Sequence, residues 1–239
     1  MLDFAEFPPD GALLDVGTGT GSLAFAMAAR WPKRKILGID IAAPYIAHAQ
    51  SQTVGATPVF QLGDCTRLRC EDGSFAGVAA QLVLNFVPEP LTAVGEMKRV
   101  AKSDGIVVAA VWDFRGGLVY QRLFWDTAAG IDPQAGMARD RLFSSPLALP
   151  NGLATLFEAA DLNQIKRSSI TIRMDYANFE DYWRPLLGGQ GPVGIYVAAL
   201  STELRCRIEG AVKGAYCSGA PDGERSLTAT AWAVRGVVP

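Results

Sequence analysis

The stretch that decides the fold is Leu14-Asp15-Val16-Gly17-Thr18-Gly19-Thr20-Gly21. It closes an apolar run that begins at Ala12, and it leads into an amphipathic segment over residues 22–30, so the pattern predicts a strand, a glycine turn and a helix. Glycine lacks Cβ, which lets the backbone turn tightly and lets a ligand approach it closely. Amides at the start of the helix can then donate hydrogen bonds to a polar or anionic group. The stretch therefore predicts a ligand-binding loop in a βαβ unit.

Short apolar runs alternate with amphipathic stretches over residues 1–113, which is the pattern of repeated βαβ units. This pattern predicts strands at 12–16, 35–40, 57–62, 75–84 and 106–112, with helices at 22–30, 44–52 and 89–102. The pattern loosens after residue 113, where we predict helices at 118–129, 153–160, 179–187 and 195–215, strands at 165–174 and 226–234, and a loop over 130–150. The sequence thus predicts a doubly wound α/β fold.

Carboxylates follow three of the predicted strand regions. Asp40 ends the second strand, where a doubly wound fold places an acid beside a ribose diol, and Gly63-Asp64 follows the third. Asp15 precedes the first glycine, where it would repel a pyrophosphate but could serve an ammonium group. Ser22 occupies the position that a dinucleotide-binding fingerprint gives to Gly or Ala. An amino-acid-bearing nucleoside without phosphate fits this set better than NAD does.

Five runs of the chain resemble the class I S-adenosylmethionine-dependent methyltransferases, in particular the small-molecule enzymes of the ubiquinone and menaquinone biosynthesis type. They are LLDVGTGTGSLAFAMA, LGIDIAAPYIAHAQ, QLGDC, GSFAGVAAQLVLNFVPEPLTAVGEMKRVAKSDG and VVAAVWD, all in the first half. The resemblance implies a Rossmann-like, doubly wound, seven-stranded, mostly parallel sheet with an antiparallel C-terminal strand and a helical insertion acting as a cap. We treat residues 1–239 as one methyltransferase domain, with a cofactor-binding half at 1–113, a C-terminal half at 114–239 and the cap at about 178–216.

The resemblance implies S-adenosyl-L-methionine as the cofactor and assigns residues to it. Asp15, Gly17, Thr18 and Gly19 would line its methionine part, and Gly21 belongs to the same binding loop. Asp40 would accept from the ribose hydroxyls, Ile41 would pack on the adenine, and Asp64 would accept from the adenine amino group, with Cys65 beside it. The sulfonium would be flanked by Gln81, Leu82 and Val83. Ala76 replaces the usual acid of the fourth strand region, and Lys102-Ser103-Asp104-Gly105 replaces the usual R-P-G-G turn. Only ten residues precede Gly11, where relatives carry a helix that folds over the cofactor, so we expect a truncated chain or a more open site.

Residues for the chemical step are harder to assign, because methyl transfer from a sulfonium needs positioning more than it needs acid–base groups. Asn85 could orient a substrate or cap the following helix, and Asp113 could be a base or a capping acid. The candidate substrate-site residues are Asn85, Trp112, Tyr182, Trp183 and Tyr196. The aromatic members of this set could equally belong to an ordinary core. The single histidine, His48, is expected at the surface.

Composition narrows the classes of partner. The chain has 239 residues and a net charge of −2 with no run of Lys or Arg, so it lacks the footprint of a nucleic-acid binder. Its four cysteines form no C-x-x-C pair, and we expect no metal site and no disulfide. No signal peptide and no membrane span are expected, which predicts a cytoplasmic location.

These features predict methyl transfer by in-line displacement to a small, apolar or aromatic acceptor. Two alternatives stay open at this point: a non-catalytic protein that binds S-adenosylmethionine or a nucleoside, and an NAD-dependent oxidoreductase. A homodimer is also left open.

Overall fold

A seven-stranded sheet organises the chain, whose computed structural model describes residues 1–189 and 191–239. The strands are β1 Leu13–Val16, β2 Ile36–Asp40, β3 Val59–Leu62, β4 Phe75–Gln81, β5 Ala101–Trp112, β6 Asn163–Tyr176 and β7 Arg225–Val237, in the order β3-β2-β1-β4-β5-β7-β6. Each neighbouring pair from β3 to β5 is parallel. The Asp104 amide donates a hydrogen bond to the Val238 carbonyl, and the Asp113 amide donates one to the Thr230 carbonyl. Residue numbers rise along β5 as they fall along β7, so the two strands are antiparallel. The predicted seven-stranded, mostly parallel, Rossmann-like sheet is confirmed.

The helices connect and cover the strands. They are α1 Leu2–Ala5, α2 Ser22–Arg30, α3 Ala43–Gln52, α4 Pro90–Val100, α5 Val119–Ala129, α6 Pro133–Phe143, α7 Gly152–Ala159, α8 Phe179–Trp183, α9 Gly191–Ala198 and α10 Thr202–Cys217, with 3-10 turns at Leu84–Phe86, Pro146–Ala148 and Arg184–Gly188. Proline stands in the first turn of both α3 and α4, where its missing N–H costs nothing. Val94, Met97 and Val100, spaced three residues apart along α4, are buried, whereas Leu91, three residues earlier, is exposed.

Several sequence-based boundaries are wrong for identifiable reasons. The proline and glycine content of residues 130–150 predicts a loop, yet this segment holds α6, whose N-cap Asp132 accepts a hydrogen bond from the Gln134 amide. The single helix predicted over 195–215 is two helices, because the Ser201 hydroxyl caps the start of α10. The predicted turn at 103–105 lies inside β5, where the positive φ of Asp104 is accommodated within the strand.

The chain divides into two compact units. The first unit comprises Met1–Val111, Leu149–Ile170 and Ala231–Pro239, and the second comprises Trp112–Ala148 and Thr171–Thr230. The core of the first unit packs α2 and α3 on the parallel strands, with Leu13, Met27 and Phe60 buried. The core of the second unit is rich in aromatic rings that meet in edge, tilted and stacked pairs. The helices predicted as a cap, at about residues 178–216, belong to the second unit.

Arg34 anchors the segment that leads into β1. Its guanidinium is buried and donates to three backbone carbonyls, those of Gly11 at 2.6 Å, Pro8 at 2.8 Å and Asp10 at 3.1 Å. The same group lies 5.5 Å from the ring centre of Trp31. A planar guanidinium can satisfy several acceptors at once, which an ammonium on a flexible stem cannot do in one position.

We therefore expect Arg34→Lys to lower the free energy of unfolding by about 2–4 kcal/mol, since charged hydrogen bonds from the buried guanidinium to backbone carbonyls are lost. Urea denaturation measures the change, and Lys33→Ala at the exposed neighbouring position serves as the control, with an effect within about 0.5 kcal/mol. Equal effects of the two substitutions would contradict the anchoring role.

Candidate active site

A cavity of about 550 Å³ opens at the carboxyl ends of the parallel strands in the first unit. This edge is where doubly wound sheets bind their ligands, because the loops that follow adjacent strands converge there. The residues around it come from the loops after β1, β2, β3 and β4: Gly17, Asp40, Ile41, Gly63, Asp64, Cys65, Thr66, Val83, Phe86, Val87, Pro88 and Glu89. Six of the twelve predicted cofactor residues therefore meet around one cavity: Gly17, Asp40, Ile41, Asp64, Cys65 and Val83.

The glycine loop is held by the end of β2. The Gly17 and Thr18 amides donate to the Ile39 carbonyl at 2.8 and 2.9 Å, and the Gly19 amide donates to Asp40 Oδ2 at 2.8 Å. Gly17 has a positive φ of 69°, and a Cβ there would lie 2.5 Å from the Val83 side chain. Position 17 therefore requires glycine both for its conformation and for the close approach of the loop after β4.

The other two glycines of the loop have different surroundings. A Cβ on Gly21 would lie 2.7 Å from the rings of Phe25 and Phe60, so Gly21 serves the packing of α2 against the sheet. Nothing lies within 4 Å of a Cβ built on Gly19, which leaves open space beside the loop.

Asp15 is enclosed beneath the loop rather than beside the cavity. It is 1% exposed, and its Oδ2 accepts from the Thr18 hydroxyl at 2.7 Å and from the Ala24 amide at 3.1 Å. Its Oδ1 is buried and has no partner among the described residues. Burial raises the pKa of this carboxyl to about 7, against the lowering effect of its two hydrogen bonds. In this geometry Asp15 ties the glycine loop to the first turn of α2.

Asp40 and Ile41 form the wall that follows β2. Both carboxylate oxygens of Asp40 accept backbone amides, Oδ2 from Gly19 and Oδ1 from Ala42 at 2.9 Å, which fixes the orientation of the side chain. Each oxygen keeps a further lone pair that can accept a ligand hydroxyl. Ile41 is 71% exposed on the cavity side, so it offers an apolar face to a planar ligand group.

The wall that follows β3 contains Asp64, Cys65 and Thr66. Asp64 Oδ1 accepts from both the amide and the hydroxyl of Thr66, each at 2.8 Å, and these hydrogen bonds lower the pKa of Asp64. Burial and the neighbouring Asp64 charge raise the pKa of the Cys65 thiol, so this cysteine stays in its neutral form.

The wall that follows β4 is longer than the sequence predicts. Because β4 ends at Gln81 rather than at residue 84, residues 82–89 form a loop that includes the 3-10 turn Leu84–Phe86. Leu82 has a positive φ of 63°, and its amide donates to Ala110, whereas Val83 lines the cavity. Six lining residues were not among the predicted cofactor residues: Gly63, Thr66, Phe86, Val87, Pro88 and Glu89. The Val-Pro-Glu end of this loop is a usable signal, since proline ends a strand.

The predicted catalytic and substrate candidates lie outside the residues that line this cavity. Asn85 is half-buried in the 3-10 turn of the first unit. In the second unit, Asp113 Oδ1 accepts from the Gly116 amide at 2.9 Å, and half-buried Trp112 packs with Phe114 and Leu118. Their roles stay predictions.

The three remaining candidates are part of the aromatic cluster of the second unit. Tyr182 and Trp183 are buried, and the Tyr182 hydroxyl donates to the Tyr120 carbonyl at 2.8 Å. Tyr196 is half-buried and donates to Asp132 Oδ2 at 2.6 Å. The predicted cap, at about residues 178–216, includes Gln190, which lies outside the described residues.

The charge of the cavity has one sign. Three carboxylates line it, those of Asp40, Asp64 and Glu89, and the described lining residues include no Lys, Arg or His. Carboxylates grouped around a cavity attract a cation and repel a phosphate-bearing ligand. No group of three or more potential metal ligands was found among the described residues, and within the same residues no helix is long and apolar enough to cross a membrane.

Comparison with known proteins points to one class. Residues 14–109 match the family model described as a methyltransferase domain. The chain is 30% identical over 138 residues to demethylmenaquinone methyltransferase of Roseiflexus castenholzii, covering 54% of this chain and 58% of the relative. It is 27% identical over 187 residues to 2-methyl-6-phytyl-1,4-hydroquinone methyltransferase of Synechocystis, covering 77% and 57%. The chain thus spans little more than half of either relative.

Solved structures share the fold. Phosphoethanolamine N-methyltransferase 2 of Haemonchus contortus, in complex with S-adenosyl-L-methionine, superposes with a TM-score of 0.58 at 13% identity, covering 99% of this chain and 51% of that one. The YcgJ protein of Bacillus subtilis gives a TM-score of 0.56 at 19% identity, covering 99% and 96%. Residues 14–109 thus match a methyltransferase domain, which agrees with the resemblance.

The close approach of Gly17 to Val83 gives a paired test of the loop. We expect Gly17→Ala to lower the free energy of unfolding by about 2–4 kcal/mol, from the left-handed backbone and from overpacking against Val83. Gly19→Ala has the same kind of backbone strain with open space around it, and it should cost about 1 kcal/mol. Urea denaturation of both variants measures the difference, and equal costs would show that the two loops do not meet closely.

The buried carboxyl of Asp15 predicts how the stability of the fold depends on pH. Its pKa is about 7 in the folded chain and near 3.8 when unfolded, so the folded state holds the proton more tightly. The free energy that protonated Asp15 contributes to stability is therefore fully present below about pH 4, and it is lost as the pH rises towards 7. Asp15→Asn keeps an acceptor for Thr18 and Ala24 but cannot ionise.

We expect the stability of Asp15→Asn relative to wild type to increase by about 3 kcal/mol between roughly pH 5 and pH 8. Thermal or urea unfolding of both proteins at each pH measures this difference. A constant difference across that range would mean that Asp15 is ionised throughout in the folded chain.

Proposed function

We propose that this protein binds S-adenosyl-L-methionine in the acidic cavity and transfers its methyl group to a small, apolar or aromatic acceptor. The observation that carries the proposal is the set of three carboxylates around a cavity bounded by the glycine loop. S-adenosylmethionine has a sulfonium, an ammonium and one carboxylate, so its net charge is positive. The two phosphates of NAD would meet the same carboxylates with repulsion. The family match likewise favours methyl transfer over the oxidoreductase alternative.

The residues present fit this cofactor group by group. The open space beside Gly19 admits a ligand against the loop backbone, which suits the methionine part. Asp40 is oriented by two amides and retains lone pairs for the two ribose hydroxyls. The exposed face of Ile41 suits the adenine ring, and Asp64, which lines the same cavity, would accept from the adenine amino group. Asp15 would act through the loop, which it holds in place.

When bound, the cofactor supplies an electrophilic methyl group and a neutral leaving thioether. The protein then has to hold the acceptor in line and keep water away. Val83, Phe86, Val87 and Pro88 give one side of the cavity an apolar surface, which favours an apolar or aromatic acceptor. Glu89 lines the same side, and among the described residues its carboxylate accepts only a long hydrogen bond of 3.5 Å from the Thr92 hydroxyl. We propose Glu89 as the group that takes a proton from the acceptor where one is released.

The remaining expectations about partners and location belong to the same proposal. They are a cytoplasmic location, no nucleic-acid partner, a cap over about residues 178–216 and a homodimer as an open alternative. The two curated relatives described above act on quinone-type acceptors by name, which is in keeping with an apolar aromatic acceptor here.

Calorimetric titration tests the cofactor proposal. We expect S-adenosylmethionine to bind, with an affinity that weakens as salt rises, because its positive charge is attracted by the cavity carboxylates. S-adenosylhomocysteine has no net charge and should bind with little salt dependence, whereas NADH should not bind. Asp40→Asn should weaken both adenosyl ligands by about 10- to 100-fold, the value of a charged hydrogen bond.

Asp104→Asn is the matched control, because it removes one negative charge at an exposed position away from the cavity. NADH binding, or equal losses in the two variants, would contradict the proposal. Binding without turnover on any quinone-type or phenolic acceptor would instead favour the non-catalytic alternative.

A further inference from the structure

A second cavity lies at the amino ends of the same parallel strands. It has a volume of about 660 Å³, belongs to the first unit, and is bordered by residues at the amino ends of β1 to β4. Its apolar lining includes Ile36, Val59 and Phe75, and Lys33, Arg34 and Lys35 lie around it. Its described lining includes no Asp or Glu, in contrast with the three carboxylates of the first cavity.

The cations around this second cavity differ in their availability. The Arg34 guanidinium is occupied by three backbone carbonyls. Lys33 and Lys35 are exposed, and their ammonium groups have neither a hydrogen bond nor an ion pair among the described residues. Two ammonium groups without partners, beside an arginine that keeps its charge, make this edge of the sheet electropositive.

A buried polar atom points independently to a ligand. Thr57 is one of the residues that line the cavity, and its Oγ1 is buried with no hydrogen-bond partner among the described residues. A buried hydroxyl without a partner costs free energy, and a bound acceptor would remove that cost. A carboxylate can accept from a hydroxyl and from an ammonium at the same time.

We propose that this cavity binds a small free carboxylic acid with an apolar body, such as a medium-chain or aryl carboxylate. The carboxylate would be held by Lys33, Lys35 and Thr57, and the body would pack on Ile36, Val59 and Phe75. The cavity lies at the amino ends of the strands, whereas the glycine loop lies at their carboxyl ends, so the cavity is a site separate from methyl transfer. The proposal does not depend on the proposed function.

Calorimetry with a series of ligands that share one tail tests the charge requirement. We expect octanoate to bind, octanol to bind at least about tenfold more weakly, and octylammonium not to bind. Shortening octanoate to hexanoate should weaken binding by about fourfold per methylene removed, because each buried CH₂ contributes a constant increment. Equal binding of octanoate and octanol, or no binding of octanoate, would overturn the proposal.

Variants test the assigned residues. Lys33→Gln with Lys35→Gln should weaken octanoate about tenfold. Arg205→Gln with Arg207→Gln removes the same charge from exposed positions of the second unit and should leave binding unchanged. Thr57→Val should weaken octanoate while leaving the unliganded protein equally stable or more stable, since an unpartnered buried hydroxyl is removed. Equal weakening by the two double variants would overturn the assignment, as would a Thr57→Val protein that binds normally.

Competition and vesicle binding test where octanoate binds. Octanoate affinity should be the same with and without saturating S-adenosylhomocysteine, and competition between them would place octanoate in the first cavity and overturn the proposal. Binding to phosphatidylglycerol vesicles in the absence of octanoate binding would identify a membrane-contacting surface and would also overturn it. If S-adenosylhomocysteine fails to bind while octanoate binds as described, the proposed function fails and this proposal stands.

Discussion

The backbone amides of Gly17, Thr18 and Gly19 all donate hydrogen bonds to the end of β2, and this junction fixes where the first cavity forms. Two of the three bonds go to the Ile39 carbonyl and the third goes to the Asp40 carboxylate. The junction therefore orients the loop and the acid in one step, before any ligand is present. Asp15 reinforces it from below by tying Thr18 to the first turn of α2. A site built in this way is preorganised, so little of the binding free energy is spent on ordering it.

The same junction explains why glycine is required at position 17. The loop after β4 brings Val83 so close that a Cβ on Gly17 would collide with it. The walls that follow β1 and β4 thus meet with no side chain between them, and the cavity continues from Asp40 to the apolar residues at 83–88. Under the proposed function, cofactor and acceptor would therefore share one enclosure, which in-line transfer requires.

The parts of the fold that could be predicted are those governed by local pattern. Strand β1, the glycine loop and α2 follow from apolar periodicity and glycine placement, and the predicted bounds of α2 match the structure at both ends. The positions of Asp40 and Asp64 could be predicted because the loops after adjacent parallel strands converge at one end of the sheet. The end of β4 could not be predicted, because residues 82–84 are as apolar as the strand, and only the positive φ of Leu82 ends it. Helix α6 could not be predicted either, because its Asp132 cap and its Pro133 are equally typical of a loop.

The charged residues at the two ends of the parallel strands have opposite signs, which the composition of the whole chain could not show. The net charge of −2 suggests a neutral surface, yet carboxylates surround the cavity at the carboxyl ends of the strands and cations surround the one at their amino ends. The first arrangement suits a cationic nucleoside, and the second suits a small anion. A balanced total thus conceals two local fields of opposite sign.

The proposed function depends most on one contact, that of the cofactor ribose with Asp40 in the acidic cavity. A crystal structure of the complex with S-adenosylhomocysteine tests this contact most directly. We expect density in the cavity, with both ribose hydroxyls within hydrogen-bond distance of the Asp40 carboxylate and the adenine against Ile41. Density at any other place, or a ribose that does not contact Asp40, would contradict the proposed binding mode.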